Sequence, residues 1–129
     1  MRRLDSQAII LIAVGGFAGA TVRYGLGAVS GEALPVTLAV NAAGCFLLGM
    51  LLFGTQSSGA VASRLRFALG TGFAASFTTY STFIADITLA EPTIASLYFL
   101  GSYATGIGAI LLSRVLVEWS ENVSGGRAP

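Results

Sequence analysis

The chain has 129 residues, of which 54% are hydrophobic and 10% charged, and its formal net charge is +1. A mean hydropathy of +0.79 is too high for an ordinary soluble domain, and with so little net charge we expect no nucleic-acid partner. The absence of His and the single Cys argue against a transition-metal centre.

Four apolar stretches follow one another along the chain, separated by short links. Each is close to the roughly 20 residues that a helix needs to cross the hydrocarbon core of a bilayer. They cover residues 8–29, 36–54, 67–85 and 93–113. We therefore expect an all-α membrane protein with a single four-helix transmembrane domain over residues 1–121, followed by a disordered C-terminal tail over residues 122–129.

The first span contains Arg23, the only charge deep within an apolar stretch. An Arg in hydrocarbon costs about 2.5–3.5 kcal/mol on insertion scales, so it usually faces a cavity or a partner. Snorkelling of the side chain to the outer surface is the alternative at this depth. Since spans 1, 2 and 4 contain no acidic residue, a buried Arg23 would be complemented by water or a passing anion.

Glycines recur in the first, second and fourth spans. In membranes, small residues allow helix backbones to approach each other closely, so these glycines predict helix packing. They are Gly15, Gly16, Gly19, Gly44, Gly49, Gly101, Gly106 and Gly108.

The second span carries Asn41, whose side chain offers two N–H donors and one acceptor. A buried Asn can simply tie two helices together. At 1.5 Å per residue, however, Asn41 and Arg23 both lie roughly 9 Å below the outer boundary. Their shared depth indicates an entry path for an anion.

The third span contains five consecutive hydroxyl residues, Thr78 to Thr82. Because a helix turns about 100° per residue, these side chains point around its whole circumference. The segment must be surrounded by protein, or broken near the bilayer midplane so that its backbone and side chains line a polar path. Carbonyls freed by such a break typically coordinate a cation. Phe77, Tyr80 and Phe83 are spaced by three and should stack along one face, either as core packing or as ring edges that hold a small anion.

Arg residues are distributed unequally between the two sides of the predicted bundle. One side carries Arg2, Arg3, Arg64, Arg66, Arg114 and Arg127, and the links on the other side carry only Glu32, Asp86 and Glu91. The positive-inside rule then predicts that both termini of this multi-pass protein are cytoplasmic.

Three segments form a recognisable combination. Residues 72–83 read G-F-A-A-S-F-T-T-Y-S-T-F, residues 19–23 have the form G-x-x-x-R, and residues 37–41 have the form T-L-x-V-N. Tyr98 and Ser102 add a vaguer Y-x-x-x-S arrangement in span 4. In order, spacing and chain length these segments resemble the Fluc/CrcB fluoride channels, whose third span has the pattern G-F-x-G-G-x-T-T-F-S-T-F.

This resemblance implies an antiparallel dimer of oppositely inserted subunits, with two narrow fluoride pores and a structural Na⁺ at the dimer interface. By position, backbone carbonyls of Ala75 and Thr78 would hold the Na⁺. The fluoride path would be formed by Arg23 in its vestibule, by Thr37, Asn41 and Ser102, and by an aromatic box containing Tyr80 and Phe83.

The chain departs from the family pattern at the break itself. Ala75 and Ser76 replace paired glycines, which makes the backbone less permissive. Tyr80 replaces a Phe and adds a hydroxyl, and Gly106 stands where some members have a second Ser. A pore built on these positions is expected to conduct poorly or differently.

We expect a fluoride-selective passive ion channel subunit that lowers cytoplasmic fluoride across the plasma membrane of a prokaryote, and no enzymatic activity. Antiparallel homodimers must insert both ways, so the Arg bias favours pairing with a separate homologous subunit of opposite topology. A non-conducting or specialised subunit of such a heterodimer is an alternative. A small proton-coupled multidrug exporter is less well supported, because it needs a carboxylate within the membrane and Asp86 only borders span 3.

Overall fold

The computed structural model describes residues 6–30, 34–54 and 60–125, the last range without the side chains of 60–63, 124 and 125. Regular structure in these ranges is entirely helical. The elements are α1 (Ser6–Ser30), α2 (Leu34–Phe53), α3 (Ala60–Phe67), a π-helical segment (Ala68–Ala74), α4 (Ala75–Phe77), α5 (Tyr80–Leu89) and α6 (Pro92–Gly125).

Three of these helices are long and apolar enough to cross a membrane. They are α1, α2 and the part of α6 from Pro92 to Val123, with mean hydropathies of 1.6, 2.1 and 1.5. The prediction of an all-α membrane protein is therefore confirmed. The remaining predicted span, 67–85, is divided among elements of 8, 7, 3 and 10 residues, each too short to cross alone.

Helix α6 is longer than the sequence pattern predicts. It starts at Pro92, whose fixed φ suits the first turn. It ends at Gly125, beyond both the predicted span boundary at 113 and the predicted start of the tail at 122. An ion pair between Arg114 and Glu118, at 2.7 Å and one turn apart, supports this extension. The rest of the predicted tail, 126–129, lies outside the described residues.

At two interfaces, glycines allow neighbouring helices to pack closely, as predicted. Between α2 and α6, a Cβ at Gly49 would overlap the hydroxyl of Ser113, which is fully buried. Between α1 and the π-helical segment, a Cβ at Gly15 or Gly19 would overlap a backbone carbonyl. Gly101 and Gly108 are different, since no atom of the described residues beyond their own helix backbone lies within 4 Å of the position that a Cβ would take.

Candidate functional site

The chain leaves the helical conformation at two threonines between α4 and α5. Thr78 has φ −72° and ψ 157°, and Thr79 has φ −140° and ψ 120°. Both are extended conformations, so the helical hydrogen-bond pattern stops and restarts within the hydroxyl-rich run. We call Thr78 and Thr79 the break.

Asn41 of α2 bridges to the backbone of the break. Its Nδ2 donates to the carbonyl of Thr79 at 3.0 Å, and the amide of Thr79 donates to its Oδ1 at 2.8 Å. The side chain thus supplies a donor and an acceptor, as a neighbouring strand would, to backbone that has left its own helix. Among the hydrogen bonds of the described residues, the second N–H of the Asn41 amide has no acceptor.

Thr79 also begins the next helix. Its Oγ1 accepts from the amide of Thr82 at 3.2 Å and donates to the Thr82 hydroxyl at 2.9 Å. A Thr side chain that accepts from the third residue onward is a preferred N-cap, and such caps contribute about 1 kcal/mol to helix stability. The position of the break is therefore fixed by Asn41 on one side and by the cap of α5 on the other.

The break deprives two carbonyls of the amides that a continuous helix would supply. In an α-helix the carbonyl of residue i accepts from residue i+4, which would be Thr79 for Ala75 and Thr82 for Thr78. Those amides instead donate to Asn41 and to the Thr79 hydroxyl. The Ala75 oxygen receives only the long 3.4 Å contact of the Thr78 hydroxyl among the hydrogen bonds of the described residues.

Such carbonyls are suitable ligands for a hard cation. The described ranges contain no group of three or more Asp, Glu, Cys or His side chains that could hold a metal ion. A cation bound in this part of the chain would therefore depend on backbone and hydroxyl oxygens. Ala75 and Thr78, the positions that the resemblance implies for Na⁺, are chemically able to supply them.

Arg23 reaches the same region from α1. Its Nε donates to the carbonyl of Ser76 at 3.2 Å, one further acceptor left at the end of α4. The side chain also lines an open cavity of about 270 Å³ together with the hydroxyl residues Tyr24, Thr37, Thr79 and Thr82. Of the two interpretations from sequence, this placement agrees with an Arg that faces a cavity. The Arg23 side chain also bonds to a backbone carbonyl, a partner that the sequence did not indicate.

Phe83 lies at the centre of an aromatic cluster. It is 5% exposed, and its ring centroid lies 5.6–6.1 Å from those of Tyr98, Phe99 and Tyr103 of α6. Tyr103 meets it edge to face, at an interplanar angle of 77°. Tyr80 is 5.9 Å from Phe83 but is 70% exposed. The two box residues of the resemblance are neighbours, one buried and one on the open surface.

The predicted aromatic stripe is wrong at its first member. Phe77 stacks on Phe73, with centroids 5.6 Å apart and an interplanar angle of 14°, and it belongs to the helix before the break. Extended residues rise about 3.3 Å each, whereas helical ones rise 1.5 Å. The break therefore separates Phe77 from Tyr80 and Phe83, which a continuous helix would have aligned.

Ser102 and Thr37 lie near a pair that sequence reasoning missed. The hydroxyl of Tyr98 donates to Oδ2 of Asp86 at 3.1 Å, and the hydroxyls of Thr37 and Ser102 face it. Ser102 Oγ is buried and makes no hydrogen bond of acceptable geometry within the described residues. The spacing of Tyr98 and Ser102 gave a weak signal for this group, but Asp86 carried none, because it lies only at the end of its apolar stretch.

A comparison with protein families finds a match over most of the chain. Residues 10–114 match the model of the family described as "CrcB-like protein, Camphor Resistance (CrcB)". The chain belongs to the CrcB family. The match includes Arg23, Asn41, the break and Ser102.

Curated relatives of the chain have printed names that state a function. A protein of Natronomonas pharaonis named "Fluoride-specific ion channel FluC 1" is 43% identical over 117 residues, which cover 90% of this chain and 98% of the relative. A FluC 1 of Haloarcula marismortui is 42% identical, covering 87% of each chain. A FluC of Oceanobacillus iheyensis is 41% identical, covering 78% of this chain and 83% of the relative. No solved structure matched the chain. With its apolar helices, this CrcB member is a multi-pass membrane protein.

Proposed function

We propose that this CrcB protein is a subunit of a fluoride-selective passive ion channel that lowers cytoplasmic fluoride. The observation that carries the proposal is the break at Thr78 and Thr79, reached by Arg23 on one side and bridged by Asn41 on the other. The relatives named as fluoride-specific channels support the choice of ion. HF crosses membranes as a neutral acid and dissociates inside, so a passive pore is sufficient to release the trapped anion.

The side chains around the break could replace fluoride's water step by step. Fluoride is small and strongly hydrated, so each water lost must be replaced by a close donor that still lets the ion leave. The cavity offers the Arg23 guanidinium and the hydroxyls of Thr37, Thr79 and Thr82. Deeper in the path, Ser102 would offer its buried hydroxyl, which makes no hydrogen bond of acceptable geometry with the described residues. The Phe83 ring, with its partially positive edge, would contact the anion without a formal charge.

The proposal extends to an antiparallel dimer. Residues 67–85 would cross the bilayer as one span with its break near the midplane, where irregular backbone is tolerated only beside protein or a water-filled path. A Na⁺ between the two subunits would be held by the carbonyls of Ala75 and Thr78, and it would supply positive charge beside the anion paths. The loss of their helical amide partners supports that role.

The membrane orientation is part of the same proposal. Six Arg residues lie on one side of the predicted spans, which supports cytoplasmic termini in a prokaryotic plasma membrane. Relatives carry the names FluC 1 and FluC 2. The fixed orientation and these numbered names favour pairing with a separate homologue of opposite topology. In that pair the present chain could be the specialised or non-conducting member, a second candidate that the exposed Tyr80 favours.

A flux experiment tests these possibilities together. The purified chain is reconstituted into fluoride-loaded liposomes, alone and with a co-expressed CrcB homologue of opposite charge bias. A fluoride electrode then follows efflux after a potassium ionophore is added. We expect fast electrogenic efflux without a proton gradient. Chloride-loaded vesicles provide the selectivity control.

The outcomes separate the alternatives. Efflux from the chain alone supports a self-sufficient channel, and efflux only with the homologue supports the heterodimer. Transport that requires a proton gradient and moves organic cations would favour the exporter. Absence of fluoride efflux from both preparations, with folded protein in the vesicles, would contradict the channel proposal.

A further inference from the structure

The helix before the break is unusually wide over seven residues. Ala68–Ala74 is π-helical, and the backbone N–H at its C-cap, Ala75, contacts the carbonyls of Gly70, Gly72 and Phe73, the first of which lies five residues back. Runs of π-helix are rare, and they are frequent at functional sites. Here the segment ends directly at α4, the single turn that carries the Ala75 and Ser76 carbonyls.

One face of α1 contacts successive backbone carbonyls of the π-helical segment and of α4. Positions 15, 19 and 23 are four residues apart and lie on one side of a helix. A Cβ at Gly15 would overlap the carbonyl of Ala68, and one at Gly19 would overlap the carbonyl of Phe73. Arg23, the next position on this face, donates to the Ser76 carbonyl at 3.2 Å.

The carbonyls contacted by this face belong to Ala68, Phe73 and Ser76, which are five and then three residues apart in the sequence. An ordinary α-helix returns to the same face after 3.6 residues, so a five-residue step needs a wider turn. Two backbone contacts on this segment, at Gly15 and Gly19, therefore agree with a π-helical register, and the hydrogen bond of Arg23 holds the Ser76 carbonyl in α4 directly after it. The register in turn decides which way the carbonyls beyond it point.

We propose that the π-helical segment sets the register of the break, and that α1 holds this register through Gly19 and Arg23. A π turn holds one residue more than an α turn, so relaxation to α-helix would rotate α4 by roughly 100°. The Ser76 carbonyl would turn away from Arg23, and the Ala75 carbonyl would leave the open face. Gly19 and Arg23 are then positioning residues for the ion path. This inference rests on the proposed channel function.

The structure offers a test of register that does not depend on conduction. A Cβ at Gly16 would lie 3.2 Å from the hydroxyl oxygen of Ser76. A Cys at position 76 would place its sulfur near that oxygen's position, so a disulfide to a Cys at position 16 would be within reach. In a Cys45→Ala background, the pair Gly16→Cys/Ser76→Cys should therefore oxidise readily, and the pair Gly16→Cys/Ala75→Cys should not. Adding Gly19→Ala should abolish this preference.

Flux measurements link the register to function. Gly19→Ala should lower fluoride efflux more than about tenfold, because misplacing a binding group by about 1 Å can cost two orders of magnitude. Gly25→Ala is the matched control in the same helix, since its added Cβ would meet no atom of the described residues within 4 Å beyond its own helix, and it should conduct like the parent. If Gly19→Ala does not fold, Arg23→Gln provides the second variant for the disulfide test.

Each result bears on the proposal. Loss of the disulfide preference together with loss of flux supports it. A preference for position 76 that persists in both Gly19→Ala and Arg23→Gln overturns it, whether or not the protein conducts. A lost preference with normal flux also overturns it, because register would then not control the path. A parent that fails to conduct contradicts the proposed function, and the disulfide pairs still decide the register.

Discussion

Asn41 illustrates how one amide can stabilise an interrupted helix. Its two hydrogen bonds, of 3.0 and 2.8 Å, serve the carbonyl and the amide of Thr79. Buried backbone groups without partners are costly, and the cost of each unpaired group is about 1–3 kcal/mol. Asn41 can therefore both tie helices together and line an ion path. One N–H of its amide bonds to the backbone of the break, and the second N–H can donate to an anion.

Replacing Asn41 with Leu should destabilise the protein by about 2–4 kcal/mol, because it leaves both Thr79 groups unpaired. Fluoride efflux should fall in the same variant. The unfolding free energy in detergent, measured by titration with a denaturing detergent, checks the first effect, and a fluoride electrode checks the second. Thr88→Val is the control, since the side chain of Thr88 bonds to the Ala85 carbonyl of its own helix and to no other group among the described residues. Equal stability of the Leu variant and this control would contradict the bridging role.

We expect the ring of Tyr80 to matter more for fluoride efflux than its hydroxyl. Its ring lies 5.9 Å from Phe83, whereas 70% of the residue is exposed. Tyr80→Phe should therefore retain fluoride efflux within about threefold, and Tyr80→Leu should lose about tenfold or more, a difference of about 1.4 kcal/mol in the barrier. Phe17→Leu, at a residue with 76% exposure on α1, is the matched control. A Phe variant as impaired as the Leu variant would assign the main role to the hydroxyl.

The position of the break depends on the Thr79 cap of α5 as much as on the Asn41 bridge. Thr79→Val keeps the shape of the side chain but removes the oxygen that accepts from the Thr82 amide. We expect a loss of about 1 kcal/mol of unfolding free energy, the usual value for an N-cap. Thr79→Ser preserves the acceptor and should lose much less. Detergent unfolding of the three proteins in parallel measures the difference, and equal stability of the Val and Ser variants would show that the cap contributes little.

Much of this site was predictable because it depends on residue type and spacing. Arg23, Asn41 and the hydroxyl run are polar groups in apolar stretches, and their equivalent depths already indicated that they could meet. The aromatic stripe was predicted incorrectly at Phe77, because helical spacing holds only while the helix continues. The π-helical segment was not predicted at all. It depends on where glycines of α1 meet carbonyls far along the chain, and local propensity contains no information on such a contact.

Helices α1 and α6 leave most of their apolar residues uncovered by the rest of the described chain. Only 6% of the residues in the apolar window of α1, and the same share in α6, are buried within the chain. Lipid or a second subunit must cover the remainder. Helix α6, with its 34 residues, is about 51 Å long and so exceeds the ~30 Å hydrocarbon core. Trp119, which is 65% exposed, belongs to the part of α6 beyond the predicted end of the span at residue 113.

The predicted orientation in the membrane can be tested directly, and the proposed pairing with a separate homologue depends on it. With cysteine tags at both termini and a membrane-impermeant thiol reagent, the parent should insert in one orientation, with both tags on the cytoplasmic side. Adding positive charge to the outer links through Glu32→Arg and Glu91→Arg should produce a mixture of orientations, because the Arg bias between the two sides would shrink. Ser120→Arg adds the same kind of charge at the inner end of α6 and should leave the orientation unchanged. Substantial insertion of the parent in both orientations would remove the case for a separate partner and would favour a homodimer built from this chain alone.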